Sequence, residues 1–169
     1  MMILVTGGSK CGKSCCAESL MNTVDGPKYY LATMIPYGEE AFSAIDRHRI
    51  MRADKGFLTV EQYTDIDRVE IPDGSSVLLE CLSNLLANEM FRNKKINICS
   101  DKIAADILRL KNKTNLLVIV TNQVGYDGIC YERGTAGYIA ELGRINQKIA
   151  ANADKVIECV YGIPVILKG

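Results

Sequence analysis

Short apolar runs alternate with longer stretches of helical spacing along the whole chain. The apolar runs Met2–Thr6, Ser76–Leu79 and Leu116–Thr121 predict strands buried on both faces of a sheet. Four further runs predict strands, at Lys28–Ala32, Phe57–Glu61, Lys155–Val160 and Val165–Leu167. The stretches between them predict five helices, at Ser14–Met21, Glu39–Arg52, Cys81–Phe91, Ser100–Leu110 and Glu132–Asn152. A turn is expected at Gly162-Ile163-Pro164.

Strands that alternate with helices predict an α/β fold with a mainly parallel sheet, helices on both faces and a short C-terminal edge strand. The chain has 169 residues, with neither a linker nor an internal repeat, so we expect a single domain over residues 1–169. In such sheets ligands bind at the carboxyl ends of the strands. The residues that follow each strand are therefore the ones to examine for chemistry.

The first strand leads into the sequence GGSKCGKS, which matches the phosphate-binding pattern Gly7-x-x-x-x-Gly12-Lys13-Ser14. The glycines allow backbone N–H groups to surround phosphate oxygens, and the following helix adds its positive dipole end. Lys13 is expected to reach the terminal phosphates and Ser14 to offer a hydroxyl to Mg²⁺. A glycine-rich turn with a chance lysine would not need the strand before it and the helix after it. The motif predicts nucleotide binding in a P-loop fold, but it does not indicate which reaction the bound nucleotide undergoes.

Glu80 follows the predicted strand Ser76–Leu79. An acid at the end of a neighbouring strand is the usual second anchor for the Mg²⁺ of a phosphate loop. An acid at a helix N-terminus that is stabilised by the helix dipole would occupy the same position. The two interpretations are compatible, and we predict Ser14 and Glu80 as the metal-binding residues.

Composition narrows the classes of partner. The formal net charge is zero, so no overall field favours nucleic acid or a membrane surface. The apolar runs fall far short of the roughly 20 residues of a membrane helix, and the N-terminus does not resemble a secretion signal. Seven scattered cysteines without a C-x-x-C pair argue against a zinc site and for free thiols. These features predict a cytoplasmic protein.

His48 is the only histidine, and it lies in the sequence AIDRHRIMR. A single histidine on the apolar stripe of a helix is more often structural than catalytic. Arg47, Arg49 and Arg52 surround it, and three guanidinium groups would lower its pKa and keep it neutral and nucleophilic. An imidazole that attacks an α-phosphate gives a phosphoramidate. The arginines could equally form a solvated helix face, and the pattern alone leaves both interpretations open.

Several further stretches carry a resemblance to one family. They are ILVTGGSKCGKS at 3–14, YYLAT at 29–33, RHRIMR at 47–52, TVE at 59–61, VLLECL at 77–82, VIVTNQVGYDGI at 118–129, GRINQKIAANADKV at 143–156 and GIPVILK at 162–168. Together they resemble the bifunctional adenosylcobinamide kinase / adenosylcobinamide-phosphate guanylyltransferases of cobalamin biosynthesis. The phosphate loop is shared with many unrelated enzymes, whereas its combination with the R-H-R helix and the late G-R-x-N-Q stretch is specific.

The resemblance implies a RecA-like P-loop fold and two reactions. One phosphorylates adenosylcobinamide with ATP or GTP, and the other transfers GMP from GTP to that phosphate. It implies that His48 carries the GMP, that Lys13 is the second catalytic residue, and that the enzyme is a homotrimer. It also implies nucleotide contacts at Gly7, Gly8, Ser9, Lys10, Cys11, Gly12, Lys13, Ser14, Ala32, Thr33, Met34, Arg49, Ile50, Met51, Arg52, Glu61 and Glu80. From the residues alone, Glu61 is simply an acid at a strand end.

The chain departs from the family pattern at several places, three of which are substitutions. Lys10-Cys11 replaces Arg-Ser, Asn122-Gln123 replaces Asn-Glu, and Tyr138-Ile139-Ala140 replaces Phe-Arg-Asp. The last two changes remove charged groups and motivate an alternative, a guanylyltransferase without kinase activity. A P-loop small-molecule kinase with a structural His48, or a nucleotide-binding module without turnover, are the other hypotheses.

Overall fold

Seven strands and four helices make up the part of the chain that the computed structural model describes, residues 1–36, 55–94 and 96–169. The strands are β1 (Met2–Gly7), β2 (Lys28–Ala32), β3 (Phe57–Glu61), β4 (Ser76–Glu80), β5 (Leu116–Val120), β6 (Lys155–Val160) and β7 (Ile163–Lys168). The helices are α1 (Lys13–Met21), α2 (Leu82–Met90), α3 (Ser100–Lys113) and α4 (Arg133–Asn152), with short 3₁₀ turns at Ile66–Arg68 and Arg92–Lys94. The predicted helix Glu39–Arg52, which carries His48, lies outside the described residues.

The strands form one sheet in the order β3-β2-β4-β5-β1-β6-β7. All neighbouring pairs are parallel except β6 and β7, which are antiparallel. The strand before the phosphate loop, β1, is separated by β5 alone from β4, the strand that ends at Glu80. This arrangement confirms the predicted α/β P-loop fold with a C-terminal edge strand.

Alternating side chains place one hydrophobic cluster on each face of the sheet. Leu4 belongs to the cluster that packs against α2, α3 and α4. Its neighbour Val5 belongs to the other cluster, which packs against Ala17 and Met21 of α1. Residues i and i+1 of a strand point to opposite faces, and burial on both faces is why the inner strands are continuously apolar. The predicted helices on both faces are therefore confirmed.

The turn near the C-terminus is one part of the predicted arrangement that is wrong. Tyr161 and Gly162 form the turn, with φ angles of 53° and 82°, and β7 already begins at Ile163. Two successive residues with positive φ are typical of the tight turn that suits a two-residue hairpin. Pro164, which pairs with Cys159, is accommodated because β7 is an edge strand. None of the helices in the three described ranges is long and apolar enough to cross a membrane.

A buried carboxylate joins α4 to the beginning of α3. Glu141 is only 2% exposed, and its Oε2 accepts hydrogen bonds from the backbone N–H groups of Cys99 (3.2 Å) and Ser100 (3.0 Å). Burial by itself raises the pKa of Glu141, but the hydrogen bonds from Arg144 and from Ser100 outweigh it and hold the pKa below its usual value of 4.5. The carboxylate therefore stabilises the fold in its charged form.

Replacing Glu141 by alanine is expected to lower the free energy of unfolding by about 2 kcal/mol at pH 7, because two buried N–H groups lose their acceptor. The folded pKa is lowered, so this contribution is complete above pH 4.5 and is lost as the pH falls through the folded pKa. Urea unfolding at pH 7 and in acid measures both effects. Glu70→Ala, at an exposed position, is the control. Equal destabilisation by the two substitutions would contradict the assignment.

Candidate active site at the phosphate loop

The phosphate loop connects β1 to α1 and is fixed to the end of the sheet. Gly7 has a φ of 145°, and a Cβ there would lie 2.6 Å from the carbonyl oxygen of Cys159 and 2.7 Å from Cys11 Sγ. Any other residue would therefore displace the loop. The backbone N–H of Gly162, in the β6–β7 turn, donates to the carbonyl of Cys11 at 2.9 Å. The strand–loop–helix context that the motif requires is confirmed.

Lys13 is 7% exposed, although it carries a charge. Its Nζ donates to the carbonyl oxygen of Gly8 and lies 3.8 Å from Cys11 Sγ. The side chain thus folds back over the loop between β1 and α1. This position places a positive charge inside the curve of the loop, where phosphate oxygens bind in proteins with this motif.

The two predicted metal-binding residues lie together although 66 positions separate them in the chain. Ser14 Oγ donates a hydrogen bond to Glu80 Oε1. The hydroxyl of Tyr30 donates to the other carboxylate oxygen of Glu80 at 3.2 Å. A hydroxyl and a carboxylate beside a phosphate loop are oxygen ligands of the kind that Mg²⁺ prefers. These residues therefore fit a magnesium ion.

Tyr30 is a member of the site that the sequence analysis missed. It lies two residues before the end of β2, on the same face as Ala32, which pairs with Glu80. The spacing of two along a strand is the only sequence signal for this contact. The hydrogen bond from Tyr30 holds the carboxylate of Glu80 in place.

Tyr30→Phe is expected to raise the Mg²⁺ concentration for half-maximal activity by about fivefold, because one hydrogen bond of about 1 kcal/mol to Glu80 is lost. Activity measured against Mg²⁺ concentration tests this. Tyr29→Phe, the neighbour on the opposite face, packs against the other cluster and is the matched control. An unchanged Mg²⁺ dependence in Tyr30→Phe would contradict the positioning role.

The ends of β2, β3 and β4 lie side by side. Ala32 pairs with Glu61 on one side and with Glu80 on the other. Glu61 is exposed, and its Oε2 accepts a hydrogen bond from the hydroxyl of Tyr63 at 2.7 Å. Glu61 and Glu80 thus flank the end of β2. The sequence places both acids at strand ends, and the structure brings them to one edge.

Thr33 is fully buried, and its side chain joins β2 to the residue after β4. Its Oγ1 donates to the carbonyl of Cys81 (2.7 Å) and accepts from the backbone N–H of Cys81 (2.8 Å). Its own carbonyl accepts from Asn88 Nδ2 at 2.7 Å. The hydroxyl of Thr33 is thus used within the fold, whereas Ala32 and Met34, on either side of it, remain half-buried at the same edge.

A cavity of about 480 Å³ surrounds the loop. Its walls come from the loop, the start of α1 and the ends of β4 and β5: Ser9, Lys10, Cys11, Gly12, Lys13, Ser14, Cys15, Glu80, Cys81, Val120 and Asn122. We call it the phosphate cavity.

Five of the predicted site residues lie outside the described residues: His48, Arg49, Ile50, Met51 and Arg52. Cys159 borders the loop, and burial together with a hydrogen bond to Cys16 raises its pKa to about 12, so it is a neutral thiol near neutral pH.

The geometry and the sequence agree with one family over almost the whole chain. The family model for cobinamide kinase / cobinamide phosphate guanyltransferase matches residues 3–167. The chain belongs to this family.

Three curated relatives match over 98% or more of their own length. The bifunctional adenosylcobalamin biosynthesis protein CobU of Escherichia coli is 33% identical, with 99% of this chain and 100% of the relative covered. The protein of the same name from Salmonella typhimurium is 32% identical over 99% of this chain and 100% of its own. CobP of Pseudomonas aeruginosa is 28% identical over 100% of this chain and 98% of its own.

One solved structure supports the fold alone. An ATPase from a bacterial type III secretion system superposes with a TM-score of 0.54 and 11% identity, covering 93% of this chain and 50% of the ATPase. The chain therefore spans about half the length of that protein. A likeness of this kind agrees with the α/β fold and says nothing of the substrate.

The family departures have structural counterparts. Gln123, where the family pattern has an acid, donates from Nε2 to Glu158 Oε1 at 2.7 Å, and its backbone N–H donates to the carbonyl of Gly7. A carboxylate thus remains next to the end of β1, contributed by β6. The hydroxyl of Tyr138 donates to the carbonyl of Ser83 at 3.1 Å, joining α4 to α2. Tyr138 stands where the family pattern has phenylalanine, so this hydrogen bond is an addition, whereas the charged pair is replaced by the uncharged Ile139 and Ala140.

Proposed function

We propose that this chain phosphorylates adenosylcobinamide with ATP or GTP and transfers GMP from GTP to adenosylcobinamide phosphate. The products of the second reaction are adenosyl-GDP-cobinamide and pyrophosphate. The observation that carries the proposal is the convergence of Lys13, Ser14 and Glu80 on one cavity in a chain that matches the family from residue 3 to residue 167. Both reactions occur at phosphorus and need the same charge neutralisation.

In the kinase reaction, the hydroxyl oxygen of the aminopropanol arm attacks the γ-phosphorus of the nucleotide. The bond from the γ-phosphorus to the bridging oxygen breaks, the hydroxyl proton is released, and the nucleoside diphosphate leaves. Lys13 is placed to offset the charge on the terminal phosphate oxygens, and the backbone N–H groups from Gly8 to Gly12 surround them. The protein supplies mainly position and charge.

In the transfer reaction, a nitrogen of His48 attacks the α-phosphorus of GTP and pyrophosphate leaves. A phosphate oxygen of adenosylcobinamide phosphate then attacks the same phosphorus, the P–N bond breaks, and the GMP is joined to the substrate. Two displacements replace one difficult step. The support for His48 is the R-H-R sequence, in which the neighbouring arginines favour a neutral imidazole.

Ser14 and Glu80 are the residues that would hold Mg²⁺, through the hydroxyl and the carboxylate that already contact each other. When bound, the ion supplies positive charge at the phosphate oxygens. Tyr30 keeps the carboxylate of Glu80 oriented. The further nucleotide contacts proposed here are those of the loop, of Ala32 to Met34, of Glu61 and of Arg49 to Arg52.

A guanylyltransferase without kinase activity is the second candidate, since Gln123 removes a carboxylate of the family pattern. The hydrogen bond from Gln123 to Glu158 supports the bifunctional proposal, because a carboxylate is retained at the neighbouring strand end. Product analysis separates the two. With ATP, Mg²⁺ and adenosylcobinamide, a bifunctional enzyme forms the phosphate ester, which a transferase alone does not. With GTP and the phosphate ester supplied, both form adenosyl-GDP-cobinamide, and absence of that product contradicts both.

We also propose a cytoplasmic homotrimer. Edge strand β7 exposes Ile163, Val165, Ile166 and Leu167, with exposed fractions between 41% and 65%. Apolar side chains that are concentrated on one exposed edge strand are usually covered in an assembly. Analytical ultracentrifugation is expected to give three times the mass of the 18.6 kDa chain, and a monomer at micromolar concentration would contradict the trimer.

A further inference from the structure

A second cavity, also of about 480 Å³, lies on the opposite face of the sheet from α1. It lies between α4 and the carboxyl ends of β1 and β5, where Leu4 and Val156 form its floor. None of the described residues that line it carries a charge. Its polar side chains are all hydroxyls or carboxamides: Thr6, Thr121, Asn122, Gln123, Tyr126, Asn146 and Gln147. We call it the amide cavity.

The polar groups of the amide cavity retain hydrogen-bonding capacity. Thr121 Oγ1 donates to Asn146 Oδ1 at 2.8 Å, which leaves the amide N–H groups of Asn146 without an acceptor among the residues the structure describes. Gln123 donates from its Nε2 to Glu158, and its side-chain carbonyl oxygen is left to accept a hydrogen bond. Gln147 is exposed, and its carboxamide forms no hydrogen bond within the described ranges. The cavity thus offers both donors and acceptors, and no charge.

Gly143, which lines the amide cavity, has no packing reason to be glycine. It lies inside the 20-residue helix α4, where glycine costs about 1 kcal/mol relative to alanine. A Cβ built at Gly143 meets nothing within 4 Å of the described protein atoms. The missing side chain leaves space open in the cavity wall, which is the expected arrangement where a ligand lies against the helix.

The amide cavity and the phosphate cavity meet at Asn122, which lines both. Asn122 Nδ2 donates to Ser83 Oγ at 2.6 Å, so its side chain is held in place between them. A ligand in the amide cavity can therefore extend one arm past Asn122, over the end of β5, to the phosphate loop. The two cavities together suit a large neutral body with one reactive arm.

We propose that the amide cavity binds the carboxamide-bearing edge of the corrin ring of adenosylcobinamide, with the aminopropanol arm passing Asn122 to the phosphate loop. This inference rests on the proposed function. Carboxamides pair with carboxamides through neutral hydrogen bonds, so charged side chains are not needed and would lose hydration. A cavity of about 480 Å³ holds one edge of the ring and its side arms, and the rest of the ring stays outside.

Gly143→Leu tests the site by filling the open wall. We expect the Kd for adenosylcobinamide, measured by equilibrium dialysis, to rise at least about tenfold, while the Kd for GTP stays unchanged. Gly134→Leu is the matched control, because a Cβ there also meets nothing within 4 Å but Gly134 does not line the cavity. Thermal unfolding is expected to show that neither variant is destabilised, since leucine favours a helix more than glycine.

Gln147→Leu tests the hydrogen bonding separately from the space, and it is expected to weaken adenosylcobinamide binding about fivefold. Unchanged adenosylcobinamide affinity in both Gly143→Leu and Gln147→Leu overturns the site and leaves the two activities standing. Loss of GTP affinity alone assigns the cavity to the guanine base and also overturns the proposal. If the wild-type chain neither binds nor converts adenosylcobinamide, the proposed function fails together with the site.

Discussion

Replacing His48 by alanine is expected to reduce GMP transfer by roughly 10³-fold or more while phosphorylation of adenosylcobinamide continues near its wild-type rate. Alanine has no nucleophile, so the bond to the α-phosphorus cannot form, and removal of a nucleophile is among the largest effects known in enzymes. The kinase reaction uses the hydroxyl of the substrate as its own nucleophile. Separate assays with the unphosphorylated and the phosphorylated substrate measure the two rates.

A loss of GMP transfer with phosphorylation retained is the result that identifies His48 as the residue that carries GMP. A parallel loss of both rates in His48→Ala, with unchanged thermal stability, would mean that His48 positions the nucleotide instead of carrying GMP. Full retention of GMP transfer would make His48 structural, which is the interpretation that the apolar stripe of the predicted helix left open. Either result would remove the covalent step from the proposed function.

Replacing Lys13 by methionine is expected to reduce both reactions by about 10²–10³-fold, because both develop negative charge on phosphate oxygens at the same loop. Methionine has nearly the length of lysine, so the buried side chain is replaced without leaving a cavity. The fold should persist, since the hydrogen bond from Lys13 to the carbonyl of Gly8 is local to the loop. Steady-state rates of both reactions and thermal unfolding are the measurements.

Lys113→Met, at the exposed end of α3, is the control for loss of a positive charge far from the loop. It should leave both rates unchanged. If Lys13→Met spared the kinase reaction and abolished GMP transfer, the two reactions would use different phosphate sites, and the single-cavity account would be wrong. Together, the Lys13 and His48 variants distinguish the residue that both reactions share from the one that only transfer requires.

The order of strands and helices follows closely from the hydrophobic pattern. The strands β1, β4 and β5 are buried on both faces and therefore continuously apolar, so the hydrophobic pattern alone predicts them. The contact of Ser14 with Glu80 was also predictable, because the ends of parallel strands meet at one edge of the sheet. The phosphate loop needed only its motif and context.

Contacts that depend on register were not predictable. Tyr30 of β2 donates to Glu80 of the neighbouring strand β4, 50 positions later in the chain. Gln123, which follows β5, donates to Glu158 of β6, 35 positions later. Nothing in the local sequence states which residues will be opposite one another. Thr33 shows the same limit, since its burial and its two hydrogen bonds to Cys81 depend on β2 lying next to β4. The amide cavity also emerges only when α4 is placed over the ends of β1 and β5.

Covalent labelling tests whether GMP passes from GTP to the substrate through a bond to this chain. The protein is incubated with Mg²⁺ and GTP labelled at the α-phosphate, denatured and separated from free nucleotide. We predict label that remains attached, is released by acid, resists base and is absent from His48→Ala, as expected of a phosphoramidate. GTP binding without any attached label would contradict the guanylyl-histidine route, and the chain would then be a P-loop kinase.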